Sequence, residues 1–516
     1  MSARSDVAQP RLGPIGWLRW MWRQLTSMRT ALFLLLLLAI GAIPGSTFPQ
    51  RSIDPARTAQ WIADHPGAGP VLDRLGFFEV YASPWFAAIY LLLFVSLIGC
   101  VLPRTKILWH QVRSAPPRAP RRLDRLAAHR EQVVDGDAQE VRERLRAALR
   151  KRRYRVHAHD DETLSAEKGY LRETGNLVFH VALIGVLVGV AWGHLLGWKG
   201  DVIVPTGKTF ANTLSRYDTF SPGPWVDVNA LEPYTISIDR LDATFETEVT
   251  TPGQFGAPRD FEAFTTFTDA DGNSEPRSIR VNHPLETGDG SVFLLGNGYA
   301  PVITVRDAEG TELYSDATPF LPQDNNYTSV GAVKVPGASP DQLGFAGFFL
   351  PTGVIDDQGP RSIFPDALDP QLALTAFEGE LFPSGRSQSV YSLDTAAMTP
   401  VPGEDDADQL RILLRPGETF ELPDGRGSIT FDRVERFAGL SIRTDPGKSL
   451  TLVAALLSLA GLVASLVIRR RRVFVRVGPG PEPGRTVVSV GALAKDDDEG
   501  MPDEIAAVLS TLEGTR

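Results

Sequence analysis

Three histidines stand where an imidazole could do chemistry. His180 and His194 lie within the apolar run "GNLVFHVALIGVLVGVAWGHLLGW", residues 175–198, and His283 lies in "VNHPL", within a polar, turn-rich stretch. A run of that length and apolarity can cross a bilayer as a helix. His180 would then sit roughly 8 Å inside it, at about 1.5 Å per residue. An ionisable side chain at that depth is costly and by default marks a functional position. Three roles are open to it. It can hydrogen-bond a backbone carbonyl or a serine of a neighbouring helix. It can relay protons, but relays bring Asp or Glu partners and the apolar runs of this chain contain neither. It can be an axial ligand to haem, whose porphyrin also needs apolar walls.

His194 falls about 40° off the same helical stripe, and its neighbours Trp192 and Trp198 suit an interfacial position. His283 precedes Pro284, ordinary chemistry for a turn between strands. Its functional alternative is contact with a cofactor or a docking protein. His157 and His159 form a His-x-His pair without a third ligand nearby, so a solvated strand is expected. Cys100 is the only cysteine. It cannot form an intramolecular disulfide, and a small apolar filler is expected there. No phosphate-binding loop, nucleophile elbow or zincin motif occurs, and the carboxylates are too scattered to nominate an acid–base couple. No catalytic residue is assigned.

The elements that must hold these residues begin with four apolar segments, at 30–48, 84–102, 175–198 and 449–468. The first is preceded by a stretch too long for a signal-peptide leader and lacks a small-x-small cleavage site after it, so it reads as an uncleaved anchor. Arg4, Arg11, Arg19, Arg23 and Arg29 precede it, with Trp17, Trp20 and Trp22 as interfacial anchors. Arg104, Lys106, Arg113, Arg118, Arg121, Arg122 and Arg125 follow the second segment, and "RRRR" at 469–472 follows the fourth. Basic flanks stay inside, so the order is 1–29 cytoplasmic, 49–83 outside, 103–174 cytoplasmic and basic, 199–448 outside and 469–516 a cytoplasmic tail.

The net charge of -10 belongs largely to the acidic outer segment, which argues against a nucleic-acid partner. That segment reads as β-rich. "PYTISIDRLDATFE" alternates apolar and polar residues, and "AFTTFTDADGNSEPRSIRVN" and "TFELPDGRGSITFDRV" each set Asp-Gly between extended runs. The expected fold is therefore an α-helical membrane protein with four transmembrane helices plus a large β-rich extracytoplasmic domain. In the cytoplasmic segment, "VRSAPPRAPRRLDRL" reads as a linker, residues 138–154 as an amphipathic helix, and "YRVHAHDDETLSAEKG" as a hairpin. In the tail, "LAKDDDEGMPDEIAAVLSTL", residues 493–512, reads as an acidic linker and one short helix.

Several stretches also resemble a known family. "SMRTALFLLLLLAIGAIPGSTFPQ", "LGFFEVYASPWFAAIYLLLFVSLIGCVLPR", "EKGYLRETGNLVFHVALIGVLVGV", "VNHPLETGDGSVFLLGNGYAP" and "GLSIRTDPGKSLTLVAALLSLAG", in that order, resemble the ResB (CcsB) membrane proteins of system II cytochrome c biogenesis. The resemblance implies a non-catalytic subunit of a membrane haem lyase complex. Its partner would be a ResC (CcsA) protein, which carries a Trp-rich haem-handling motif that this chain lacks. The pair would export haem b and present it to apocytochrome c, and a thioredoxin-like apocytochrome reductant is a further partner. His180 matches the family's histidine in the third span, a candidate haem ligand. His194 and His283 are weaker candidates for the same cofactor. The alternative from another class is a membrane-anchored sensor or scaffold with an extracytoplasmic binding domain and no cofactor.

Overall fold

The computed structural model describes residues 13–248, 254–357, 359–383, 389–403, 409–494 and 499–513. Arg4 and Arg11 of the basic flank, and the acidic run 495–498, lie outside the described residues. In chain order the α-helices are α1 (Pro14–Leu25), α2 (Met28–Thr47), α3 (Pro55–Asp64), α4 (Gly69–Arg74), α5 (Pro84–Arg113), α6 (Ala138–Lys151), α7 (Leu171–Leu196), α8 (Lys448–Val467) and α9 (Met501–Glu513). Serine hydroxyls start two of them. Ser27 accepts from the Thr30 amide and Ser83 from the Phe86 amide, closing donors that a helix start leaves open.

Among the described residues four helices are long and apolar enough to cross a membrane: α2, α5 over Pro84–Leu108, α7 and α8. Between 6% and 17% of each span is buried inside the chain, so most of their apolar surface is left to lipid or to another protein. Helix α7 begins earlier than the apolar run alone indicates, because "LRET" is a polar but helical first turn. It ends at Leu196, so Trp198 opens a strand instead of closing the helix.

The chain divides into two compact units, Met1–Val190 with Lys448–Arg516, and Ala191–Gly447. In the first, α7 and α8 run antiparallel along a seam of small residues. Gly175, Ala182 and Gly189 of α7 are buried, as are Ala454, Ser458 and Gly461 of α8. A Cβ on Gly175 would lie 2.8 Å from the Gly461 carbonyl oxygen, and one on Gly461 would lie 2.6 Å from the Phe179 amide nitrogen. Backbones approach this closely in lipid only where side chains are absent or minimal.

Beyond the spans the same unit forms an α/β module. Its antiparallel sheet has the strand order 128–135, 485–494, 471–479, 163–168, 155–158. Val141, Leu145 and Leu149 of α6 and Ile505, Val508 and Leu509 of α9 share one core with Leu164, Ala166, Val473, Val475, Val488 and Val490. The Pro/Arg-rich stretch straps another part of the module. Arg476 donates to the carbonyls of Pro120 and Arg121, and Leu123 is buried close to Gly491. The helix and hairpin expected in 103–174 are present. The tail contains the expected helix, α9, and ahead of it 471–479 and 485–494 are strands at the centre of the sheet, a stretch to which the sequence alone assigns no element. Their alternating valines bury one face only when paired with 128–135 and 163–168.

The second unit is sheet-rich and built on one long ribbon. Strands 291–306 and 428–444 pair antiparallel along almost their whole length, with register shifts at Leu294/Gly296 and Val302/Ile303. One end packs Ile303, Val305, Ile429 and Phe431 against Val333, Phe345, Phe349 and Leu372 of a second sheet. The other packs Val292, Leu440 and Ile442 against Ile236, Ile238 and Ala263 of a four-stranded sheet. The bulges increase local twist, which lets one ribbon serve both cores. Both Asp-Gly stretches lie at turns. In the first, the Asp269 carboxylate accepts from the amides of Asp271 and Asn273, and Gly272 takes φ 84°.

Candidate functional site

The site is built on α7. The seam residues recur every seven positions, which keeps them on one face. His180 lies about 160° from that face at about 100° per residue, so its ring projects away from α8. The imidazole is partly buried. Its Nδ1 lies 2.7 Å from the carbonyl oxygen of Asn176, one turn back, and the Phe179 ring meets it edge-on at 5.0 Å between centroids. With Nδ1–H donated to that carbonyl, the neutral ring has its lone pair on Nε2, which has no hydrogen-bond partner among the described residues. A histidine oriented by a backbone carbonyl through one nitrogen, with the other open, has the arrangement of metal-ligating imidazoles. Among the described residues no group of three His, Cys, Asp or Glu could hold a metal ion.

The other two histidines are not brought to this point. His194 is exposed in the last turn of α7, about 21 Å along the axis from His180 at about 1.5 Å per residue, which is too far to share one iron. Around it the helix end is closed by backbone: the Trp225 amide donates to the Leu195 carbonyl and the Gly223 amide to that of Gly197. Trp192 and Trp225 are exposed beside it, as an interfacial belt would be. His283 is exposed in a tight turn whose backbone exchanges both hydrogen bonds between Arg280 and His283, with Asn282 at φ 63°. His157 is exposed, and His159 Nε2 lies 2.8 Å from the Pro116 carbonyl oxygen, on the strap.

Two features of the surroundings were not legible as such. Cys100 is more than a filler: its thiol donates to the Thr26 carbonyl at 2.9 Å, and Ser96 donates to the Leu25 carbonyl at 2.6 Å. Together they close the end of α1 where it turns into α2. The second is a charge cluster at the foot of α7. Glu167 is 2% exposed and accepts from Arg470 at 2.6 Å, from Arg472 at 3.0 Å and from the Tyr170 hydroxyl. The Tyr170 ring in turn lies 4.5 Å from the Arg155 guanidinium and 5.3 Å from that of Arg470. Burial pushes the Glu167 carboxyl up, but the Tyr170 and Arg470 hydrogen bonds outweigh it and hold it below its ordinary value. Burial and the same carboxylate raise the Tyr170 hydroxyl to about 12. Glu504 of α9 repeats the pattern with Lys168 at 2.7 Å and Arg471 at 2.8 Å. The "RRRR" stretch is thus partly consumed in tying α8 to the residues just before α7.

Fold and site together define a four-span membrane protein with a β-rich domain between its last two spans and, on the third span, an imidazole turned away from the small-residue seam. The chain belongs to the ResB-like family, whose model matches residues 28–506. It is similar to a cytochrome c biogenesis protein CcsB of Synechococcus sp. (strain CC9311), 26% identical over 505 residues that cover 97% of this chain and 99% of the relative. A CcsB of Picosynechococcus sp. (strain ATCC 27264 / PCC 7002 / PR-6) is 28% identical over 296 residues, 53% of this chain and 57% of the relative. One of Nostoc sp. (strain PCC 7120 / SAG 25.82 / UTEX 2576) is 30% identical over 192 residues, 36% of this chain and 40% of the relative.

Proposed function

We propose that this chain works in cytochrome c biogenesis at the plasma membrane, as the half of a two-protein machine that lacks the Trp-rich motif. Both termini are cytoplasmic in this reading and the β-rich domain, residues 199–448, is outside. With a ResC/CcsA-type partner the chain handles haem b within the membrane and presents it for attachment to apocytochrome c, which a thioredoxin-like reductant keeps reduced. The relatives named as cytochrome c biogenesis proteins support the system, and the basic flanks support the orientation.

The observation that carries the reading is the state of His180. Its Nδ1 is committed to the Asn176 carbonyl, its Nε2 is open, and it stands opposite the α8 seam. Bound haem would supply an iron centre that His180 would hold through Nε2. What the chain does is orient the ring, provide the apolar wall of Leu177, Leu183, Ile184 and Leu187 on the same face, and leave that face free for the partner's helices.

The test is to purify the chain with its ResC-type partner from haem-replete cells and record the visible spectrum of the reduced complex. A low-spin bis-imidazole spectrum is expected. A stable but colourless complex would overturn the reading and favour the sensor or scaffold alternative.

A further inference from the structure

Helix α1 carries more apolar surface than an isolated water-facing helix tolerates. Ile15, Trp17, Leu18, Trp20, Met21 and Trp22 are each 45% exposed or more, and no residue of the helix is buried. Ile15, Leu18 and Trp22 fall on one face at helical spacing and line a shallow groove, whose edge is formed by Arg19 and Arg23. These two arginines are exposed, stand one turn apart and have no carboxylate partner among the described residues. From Gly13 to Ile53 the sequence contains no Asp or Glu at all. The position of the helix is built in. Ser96 and Cys100 of α5 hold its last carbonyls, and Gly99 has no room for a Cβ against Thr26. The α1–α2 corner is therefore pinned to the start of α2 and to the Ser96–Cys100 stretch of α5, with Arg29 and Arg104 nearby.

We infer that α1 is an interfacial helix that selects anionic phospholipid: Arg19 and Arg23 bind the phosphate of the headgroup while Ile15, Leu18 and Trp22 take the upper part of the acyl chain. The charge decides the class of lipid. A zwitterionic headgroup brings its own cation next to the phosphate, whereas an anionic one meets two guanidiniums uncompensated. The apolar groove decides the depth, since an amphipathic face of this kind settles at the headgroup–acyl boundary.

The test uses the full chain in nanodiscs of phosphatidylcholine that contain, as a minor component, brominated-chain phosphatidylglycerol or brominated-chain phosphatidylcholine. Bromine quenches nearby tryptophan emission, and the α1 contribution is the difference between the wild type and the Trp17→Phe, Trp20→Phe, Trp22→Phe triple variant. Brominated phosphatidylglycerol is expected to quench the α1 tryptophans about twofold more than the same amount of brominated phosphatidylcholine. The excess should vanish in Arg19→Gln, Arg23→Gln and shrink in high salt. Equal quenching by the two lipids overturns the selectivity. No quenching by either also overturns the inference, because the helix is then covered by protein. The comparison of lipids on the wild type decides the matter even if the arginine variant does not accumulate.

Discussion

The carbonyl oxygen of Asn176 lies 2.7 Å from His180 Nδ1 and so fixes which nitrogen of the partly buried imidazole is free. Because the acceptor is backbone, the side chain of Asn176 is dispensable to that geometry. Asn176→Ala is therefore expected to leave the haem spectrum of the purified complex unchanged. His180→Ala should lower bound haem by about tenfold or more, on the scale of a lost ligand, and added imidazole should restore part of it by filling the vacated position. His194→Ala should have much less effect. Full haem content and full cytochrome c maturation in His180→Ala would show the histidine to be a structural hydrogen-bonding residue.

The α7–α8 seam should be intolerant of bulk. Gly461→Val places carbon against the Phe179 amide and the Gly175 carbonyl, and overpacking at a close helix contact costs about 1–3 kcal/mol. A lower Tm in detergent than the wild type is expected. Gly478→Ala, where a Cβ meets nothing within 4 Å, is the matched control.

The charge cluster at the foot of α7 sets a pH limit on the α/β module. Glu167 and Glu504 are both held below their ordinary value of 4.5 in the folded chain. Folding therefore favours their charged forms, and that stabilisation is complete above pH 4.5 and lost as pH falls through the lower folded values. Denaturant or thermal melts should show little dependence on these groups between pH 6 and 8 and a decline below about pH 4.5. Glu167→Ala should remove that acid-side decline in part and lower stability at neutral pH by about 1–3 kcal/mol, since Arg470 and Arg472 lose their shared carboxylate and Arg470 keeps only the 3.5 Å ion pair with Glu173. An unchanged neutral-pH melt would contradict the assignment.

Truncation after Ile468 should damage residues far away in sequence. Without 471–479 and 485–494, strand 128–135 loses its partner, 163–168 keeps only 155–158, and α6 loses much of the cover of Leu145 and Leu149. Limited proteolysis is expected to cut the truncated chain within 123–168 at conditions where the full chain resists. Resistance there would mean that the hairpin and α6 stand alone.

These cases also show what could be read without coordinates. The four spans were legible because their signal is local: a long apolar run needs no partner to be recognised. The β hairpins of the second unit were legible for the same reason, through alternation and Asp-Gly turns such as Asp269–Asn273. The strands at 471–479 and 485–494 alternate equally well, yet their partners are encoded before α7, and one sequence carries no sign of that pairing. His180 was legible as a candidate because it breaks a pattern, and its Nδ1 contact follows from helix geometry alone. The carbonyl-capping roles of Cys100 and Ser96 depend on how α5 meets the α1–α2 corner, and residue type says nothing of that.

The split sheet also imposes an order in time. During synthesis 128–168 leaves the ribosome with two central strands missing, and α7, the whole β-rich unit and α8 must all be made before 471–494 can fill the gap. Until then strands 128–135 and 163–168 keep open edges and α6 a bare apolar face, the surfaces that chaperones hold and proteases find. Closure of the sheet thus marks a chain translated past its last span, and one interrupted earlier remains open to degradation.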